Sequence, residues 1–307
     1  MTDCLTPATP VAPATVAPAP AVKSVALVLG GNGLLGQALM HQLTKCGWEA
    51  HSLTRKDCDM LTPSALLPHV EAIAPDVIFN TVAWTQVDLA EDSPQAALSV
   101  NRGLPALLGG IVKGTSIHLV HFSTDFVFNG RKESPYTEED KPDPDSVYGS
   151  SKLAGEQALL EMNLPNCCIV RTAWLFGPGR RNFVSAILEQ ARIKDTLQVV
   201  HDQIGSPTYT PDLACASVQL ATRRATGLFH VVNGGQASWC ELAAEAVRQA
   251  TLSCTVRAIT SADWPQKAKR PAYSVLSTDK YTALVGAPLR SWPQALREYV
   301  YTEFLSS

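Results

Sequence analysis

Two side chains with complementary acid–base chemistry, Tyr148 and Lys152, stand four residues apart and lead into a helix-forming run that ends near Leu160. On a helix this spacing places both on one face. A free phenol loses its proton near pH ~10, and a nearby ammonium favours the phenolate and lowers its pKa. The pair therefore predicts a general acid or base. The same spacing also occurs in ordinary solvent-facing helix pairs, so the elements around it must decide.

A glycine-rich turn follows the first apolar segment of the chain. Residues 24–29 read as a buried strand, and a helical pattern begins at residue 37. Between them, Gly30 permits a tight turn, Gly33 lets the backbone approach a pyrophosphate and Gly36 lets the helix pack on the sheet. The free N–H groups of a helix start also attract phosphate. The turn predicts a dinucleotide site, with the spacing G-x2-G-x2-G rather than G-x-G-x2-G.

The end of the second predicted strand bears on the choice of cofactor. In NAD-selective folds an acidic residue there holds the ribose 2′-hydroxyl. The strand at 49–53 is followed instead by Arg55 and Lys56, and two cations suit a 2′-phosphate. We therefore expect NADPH or NADH as cofactor with NADPH slightly favoured, and an adenine edge read at Asp59 and Met60. A solvated turn is the alternative interpretation of the two cations.

Strand-like apolar runs alternate with helical patterns in the first half of the chain. The alternation predicts an α/β fold with a doubly wound parallel sheet, in which ligands bind beyond the carboxyl ends of strands. Ser123 to Asp125, including Thr124, end a strand predicted over 116–122 and so lie where chemistry occurs. A polar, proline-containing loop over 129–146 then delivers Tyr148 to a helix start.

The sequence also predicts how the chain divides. We expect a Rossmann domain that binds NAD(P) over 23–172 and a smaller, mainly substrate-binding domain over 173–307, with one segment near 211–235 returning to the Rossmann domain. Other predicted helices cover 62–74, 93–113 (interrupted at 103–105), 181–194, a stretch from 211, 238–251 and 291–304. Further predicted strands cover 75–80, 166–170, 227–232 and 255–259.

The first 22 residues differ in composition from the rest. They are rich in proline and alanine and carry no charge after Asp3. A signal peptide would need a basic start and an unbroken apolar segment, and this stretch has neither. We predict a disordered tail that is extended and partly polyproline II.

Composition argues against several classes of partner. The net charge is −3 and no basic stripe is present, so we predict no nucleic-acid binding. No stretch approaches the ~20 apolar residues of a membrane span. The eight cysteines form no C-x2-C pair and no Cys/His zinc spacing, so we predict no metal site and a cytoplasmic, reducing location.

Several longer motifs stand in the order found in one known family. They are GGNGLLG at 30–36, PDVIFNTVAWTQVDLAE at 75–91, VN at 100–101, HFSTDFVFNG at 121–130, VYGSSKLAGE at 147–156, RTAWLFGPG at 171–179, DQIGSPT at 202–208, SWCELA at 238–243 and KRPA at 269–272. From about residue 25 to its end, the chain resembles the dTDP-4-dehydrorhamnose reductases, which are extended short-chain dehydrogenase/reductases. The glycine and Tyr/Lys motifs mark the superfamily, whereas STD-F-VF, RTAW, DQ-GSPT and KRPA are more specific.

The resemblance implies NAD(P)H-dependent reduction of the C4 ketone of dTDP-4-dehydro-β-L-rhamnose to dTDP-L-rhamnose. Tyr148 would donate the proton to the ketone oxygen, and Lys152 would lower the pKa of Tyr148 and hold the nicotinamide ribose. Thr124 would hydrogen-bond the carbonyl or the phenol. Asp125 and Trp174 would contact the sugar nucleotide.

The resemblance also implies the remaining cofactor contacts. Ala83 and Thr85 would lie along the cofactor. The pyrophosphate would be held by Gly30, Asn32, Gly33, Leu34, Leu35 and Gly36. The chain departs from the family at Phe126, where many relatives have tyrosine, so one hydroxyl contact to the substrate would be absent. The carboxylates through which some relatives dimerise on a metal find no match, which leaves a monomer or a homodimer without metal.

Two other functions fit parts of the same pattern. A non-catalytic dinucleotide-binding subunit, like the regulatory subunit of methionine adenosyltransferase, has this fold and similar motifs. A reductase or epimerase of another nucleotide sugar shares the glycine turn and the Tyr/Lys pair. The presence of Thr124, Tyr148, Lys152 and Trp174 together favours catalysis, and Trp174 with DQIGSPT favours the rhamnose branch by resemblance.

Overall fold

The computed structural model describes residues 23–306, and the predicted Pro/Ala tail lies outside them. Its centre is an all-parallel sheet of six strands in the spatial order β10-β5-β4-β3-β1-β2. The strands are β1 Val25–Leu29, β2 Glu49–Leu53, β3 Val77–Asn80, β4 His118–Thr124, β5 Cys167–Thr172 and β10 Gly227–His230. The predicted α/β class with a parallel sheet is confirmed.

Helices cover both faces of this sheet, which is why the strands read as unbroken apolar runs. Alternate β1 residues point to opposite faces. Ala26 and Val28 pack in the cluster that contains Leu39 and Leu213, and Leu27 and Leu29 pack in the cluster on the other face, which contains Leu66 and Leu108. The helices that accompany the first five sheet strands are α1 Leu34–Lys45, α2 Pro63–Ile73, α3 Val87–Asp92, α4 Pro94–Leu98, α5 Leu104–Val112 and α6 Val147–Leu160.

The remaining elements form a smaller set of layers beyond β5, except that α8 and α10 pack in the same cluster as α1 and β10 joins the central sheet. The small strands pair as β6 with β9, β7 with β12 and β8 with β11. The elements are β6 Leu175–Phe176, α7 Phe183–Ala191, β7 Thr196–Val200, β8 Ile204–Gly205, β9 Thr208–Tyr209, α8 Thr210–Thr222, β11 Ala237–Ser238, α9 Trp239–Gln249, β12 Thr255–Ile259, α10 Asp279–Val285 and α11 Trp292–Val300.

The interruption predicted at 103–105 within the helix over 93–113 differs in the structure. The helical path from α4 to α5 does not break at 103–105, because a π-helical turn over Ser99–Gly103 joins the two helices. Pro105 is tolerated because it stands in the first turn of α5, where a missing N–H costs little. The short helix α3 was not predicted from the sequence.

The order of the strands locates the cleft. β2 and β3 flank β1 on opposite sides, so the chain reverses its winding there and leaves a crevice at the carboxyl ends. In the range 23–306, no helix combines the length and the apolar composition needed to cross a bilayer.

Candidate active site

The glycine turn between β1 and α1 is shaped by close backbone contacts. Gly30 has φ of 83°, a conformation that favours glycine. A Cβ on Gly36 would lie 2.1 Å from the Gly30 carbonyl oxygen, so only glycine allows α1 to start against this turn. Gly33 donates its N–H to the same oxygen at 2.8 Å and is the N-cap of the helix. The turn is therefore closed by backbone alone.

The start of α1 offers donors without a competing side chain. Its N-cap makes no side-chain hydrogen bond, and the first turn has no acidic residue. The N–H groups of Leu34, Leu35 and Gly36 therefore have no intrahelical partner. Asn32 is exposed just before them, and its carbonyl oxygen accepts from Gln37 Nε2. This donor set fits the diphosphate of a dinucleotide.

The residues predicted to contact the adenosine end of the cofactor differ in whether their side chains are free to bind it. Arg55 is exposed beyond β2 and makes no ion pair within the described part of the chain. The Asp59 carboxylate accepts from Thr62 Oγ1 and from Leu61 N–H, which lowers its pKa. Met60 is 4% exposed and packs in the core. The Met60 side chain is therefore a core residue, which leaves backbone as the means of reading an adenine edge.

A buried asparagine that the sequence analysis did not assign holds the cofactor-side loop. Asn101 Oδ1 accepts from Trp84 N–H at 2.8 Å, and Asn101 Nδ2 donates to the Trp84 carbonyl oxygen and to Ser151 Oγ. It thereby ties the segment with Ala83 and Thr85 to helix α6. The sequence signal that could have pointed to this role is the single amide side chain of Asn101 within the predicted helix over 93–113.

Helix α6 is positioned through its two glycines. A Cβ on Gly149 would lie 2.2 Å from the Phe126 carbonyl oxygen, and one on Gly155 would lie 2.1 Å from the Asn101 carbonyl oxygen. The helix start is capped by Ser146 Oγ, which accepts from Gly149 N–H. These contacts bring the Tyr148 end of the helix against the turn that follows β4.

The pKa values of the Tyr/Lys pair differ from the sequence expectation. Burial raises the pKa of Tyr148 to about 12; the Thr124 hydroxyl opposes this shift and the Asp125 charge adds to it. Burial lowers the pKa of Lys152 to about 8, opposed by the charge of Glu156. Lys152 Nζ donates to the Phe122 carbonyl oxygen at 2.6 Å. Burial therefore opposes the lowering of the Tyr148 pKa that the sequence predicts from Lys152, and that effect of Lys152 stays a prediction.

The end of β4 places Thr124 beside the phenol and Asp125 behind it. Thr124 Oγ1 donates to Asp125 Oδ1 at 3.0 Å and accepts from Phe126 N–H. Asp125 is 2% exposed, and its Oδ2 accepts from Ser274 Oγ at 2.6 Å. Both Asp125 oxygens are thus engaged within the protein. Its carboxylate orients the Thr124 hydroxyl, and the sugar contact that the resemblance implies for Asp125 stays a prediction.

The Phe126 ring packs edge-on against the Tyr148 ring, with centroids 5.5 Å apart. Trp174 lies just beyond β5 and stacks on Trp239 with centroids 3.5 Å apart. It also packs against the cluster that contains Val127, near the turn after β4. Trp239 was predicted only as part of a helix, because nothing local links it to Trp174.

A buried ion pair connects α6 to strand β5. Arg171 Nε and Nη2 donate to Glu156 Oε1 and Oε2 at 2.8 and 2.6 Å, and the two residues are 2% and 0% exposed. Glu156 stands one turn after Lys152 on the same helix. Across residues 23–306, no group of three His, Cys, Asp or Glu side chains is arranged to hold a metal.

Comparison with known proteins shows which family the chain resembles. The family model described as RmlD substrate binding domain matches residues 24–304. A spore coat polysaccharide biosynthesis protein, SpsK, of Bacillus subtilis is 39% identical over 89% of this chain and 96% of its own length. The dTDP-4-dehydrorhamnose reductase of Streptomyces griseus is 38% identical over 89% of this chain and 91% of its own length.

A solved structure shares the fold. The dTDP-4-dehydrorhamnose reductase of Bacillus anthracis, in complex with NADP, superposes with a TM-score of 0.88 and 31% identity over 92% of this chain and 100% of that one. The match spans the glycine turn, the Tyr/Lys helix and the layers beyond β5 together. This chain therefore belongs to the dTDP-4-dehydrorhamnose reductase family of NAD(P)H-dependent oxidoreductases.

Proposed function

We propose that this protein uses NADPH or NADH to reduce the C4 ketone of dTDP-4-dehydro-β-L-rhamnose to dTDP-L-rhamnose. The observation that carries the proposal is the position of Tyr148 and Lys152 at the start of α6, beside Thr124 at the carboxyl end of β4. The unoccupied N–H donors of α1 supply the matching site for a dinucleotide at the same sheet edge.

Tyr148 is the proton donor. With a pKa of about 12 the phenol is protonated at neutral pH, so it hydrogen-bonds the ketone oxygen as a donor. An alkoxide that forms at C4 is more basic than the phenolate, so the proton moves from Tyr148 to the sugar oxygen. A raised phenol pKa therefore suits the reductive direction.

Lys152 and the glycine turn orient the reactants. One donor of the Lys152 ammonium is held by the Phe122 carbonyl oxygen, which leaves the others for ribose hydroxyls. Asn101 holds the loop with Ala83 and Thr85, where the nicotinamide half would lie. The nicotinamide supplies the hydride when it is bound.

The Tyr148→Phe variant tests this function. We expect kcat for the dTDP-4-keto sugar to fall about 100- to 10,000-fold, because the reaction loses its acid. The dissociation constant for NADPH should stay unchanged. The assay follows oxidation of NADPH and NADH with a panel of dTDP-4-keto sugars, because Phe126 alters one contact expected for the substrate.

Tyr301→Phe is the matched control, since Tyr301 is 63% exposed at the far end of the chain. It should retain wild-type turnover. Undiminished turnover in Tyr148→Phe would contradict the proposed mechanism, and no turnover of any dTDP-4-keto sugar by the wild type would contradict the proposed function. A cytoplasmic location and a monomer or homodimer stay predictions from the sequence; light scattering on the purified protein tests the latter.

A further inference from the structure

The indole of Trp174 lies against two residues from distant parts of the chain. The Trp239 ring is parallel to it within 3°, at a centroid distance of 3.5 Å. A Cβ on Gly205 would lie only 2.5 Å from Trp174 Cε2 and 2.6 Å from Trp174 Nε1, so no side chain fits beside this part of the indole. Because Trp239 already fills one face at contact distance, Gly205 backs the indole from another side. Phe183 packs on Trp239 in turn, with centroids 4.5 Å apart.

A single pairing of short strands brings these two residues together. β8 and β11 are antiparallel, with Gly205 opposite Ala237. Trp239 follows directly as the first residue of α9. That helix start is fixed by a capping box, in which Ser238 and Glu241 accept each other's backbone N–H groups. The position of the Trp239 ring is therefore set by backbone pairing and a cap, and not by its own packing alone.

Trp174 itself has an unusual backbone. Its φ is 48°, a conformation that bulky residues seldom adopt and that persists only when the surroundings hold it. Its carbonyl oxygen accepts from Thr208 N–H at 3.1 Å. Its indole N–H, in contrast, finds no acceptor among residues 23–306. Trp239 covers one face of the ring, and the indole N–H, which lies beside Gly205, is the polar group of the Trp174 side chain left for a ligand.

We propose that Trp239 and Gly205 are positioning residues that hold Trp174 so that its indole N–H edge binds the nucleotide sugar. The inference rests on the proposed function, because it assigns the affinity for the sugar substrate to this assembly. It sets the KM for the sugar and leaves proton transfer from Tyr148 and binding of the dinucleotide to other residues.

The test compares Trp239→Ala, Trp239→Phe and the wild type. Trp239→Ala should raise the KM for the dTDP-4-keto sugar and the Kd for dTDP-rhamnose about tenfold, since an aromatic pair contributes about that much. Its kcat and its KM for NADPH should be unchanged. Trp239→Phe should restore most of the affinity. The coupled circular-dichroism signal of two stacked indoles should disappear in both variants.

Trp264→Phe is the control, because Trp264 is 51% exposed and stacks on no aromatic residue in the described part of the chain. It should keep both the affinity and the dichroism signal. Gly205→Ala provides an independent variant whose added methyl group displaces Trp174, and it should weaken dTDP-rhamnose binding as Trp239→Ala does. If Trp239→Ala does not fold, Trp239→Phe and Gly205→Ala decide.

The binding and turnover results separate the two proposals. Unchanged dTDP-rhamnose affinity in Trp239→Ala, with the dichroism signal lost, would overturn the positioning role even if the wild type is an active reductase. An equal rise in the KM for NADPH would overturn it as well, since the effect would then be a general disturbance of the fold. A wild type that binds dTDP-rhamnose without reducing any dTDP-4-keto sugar would overturn the proposed function and leave the affinity comparison valid. A wild type that binds no dTDP-sugar would overturn both.

Discussion

The cofactor side and the sugar side of the cleft are built in different ways. On the cofactor side, the predicted pyrophosphate site comes from one short segment directly after β1, and backbone groups shape it, as in the turn from Gly30 to Gly36. On the sugar side, side chains from distant segments meet, as Asp125 does with Ser274 and Trp174 does with Trp239. The predicted pyrophosphate site is therefore local in sequence, whereas the proposed sugar site depends on the completed fold.

Helix α6 joins the two sides. Its Ser151 is tied through Asn101 to the cofactor-side loop, and its Glu156 is paired with Arg171 in β5, the strand that leads to Trp174. Lys152 stands on this helix between the two connections, and Tyr148 stands just before the first of them. A substitution that disturbs α6 should therefore affect both the cofactor side and the sugar side, whereas a substitution on one side should leave the other side intact.

The largest effect on stability is expected from Glu156→Gln in α6. The substitution leaves the Arg171 guanidinium buried without a counter-charge, which should lower the free energy of unfolding by about 3–5 kcal/mol. Urea denaturation measures the change. Because the helix carries both proposed catalytic groups, Tyr148 and Lys152, the KM values for NADPH and for the sugar should rise together.

Glu189→Gln serves as the comparison for Glu156→Gln. Its pair with Arg181 is exposed, so its loss should change the free energy of unfolding by less than about 1 kcal/mol. Equal losses of unfolding free energy in the two variants would show that burial does not increase the contribution of the Glu156–Arg171 pair to stability.

A smaller effect with a defined pH dependence is expected from Asp125 on the sugar side. Burial raises the pKa of Asp125 from 3.8 to about 6. Between these values the unfolded chain loses the proton while the folded protein keeps it, so stability falls as pH rises through this window. The loss amounts to about 3 kcal/mol for a group this buried. Asp125→Asn, which does not titrate, should abolish this part of the slope in denaturation series across the window.

Asp88→Asn is the matched control for the pH series. The Arg270 guanidinium lowers the pKa of Asp88 to about 2, so its contribution is lost only as pH falls below about 4. The variant should be less stable than the wild type but should keep the slope between about pH 4 and pH 6. A wild-type slope retained in Asp125→Asn would assign the titration to another group.

The same division between local and distant contacts decides what the sequence could predict. The strand, turn and helix around Gly30, and the capping box at Ser238, follow from patterns within a few residues, and the structure has both. The raised pKa of Tyr148 could not be predicted, because it depends on how deeply α6 packs against the turn after β4. The roles of Ser274 and Trp239 could not be predicted either, because their partners lie 149 and 65 residues away in the chain.

The smallest effect is expected from Arg55→Ala, which tests the cofactor side alone. Arg55 is exposed and makes no ion pair within residues 23–306, so its removal should not alter stability. If it faces the 2′-phosphate, the KM for NADPH should rise about tenfold while the KM for NADH stays constant, because one charge-assisted contact is lost. Arg257→Ala, at an exposed arginine on β12, should change neither value. Equal shifts for the two cofactors would mean that Arg55 contacts a group that both share, and the preference for NADPH would then have to come from Lys56 or from backbone donors.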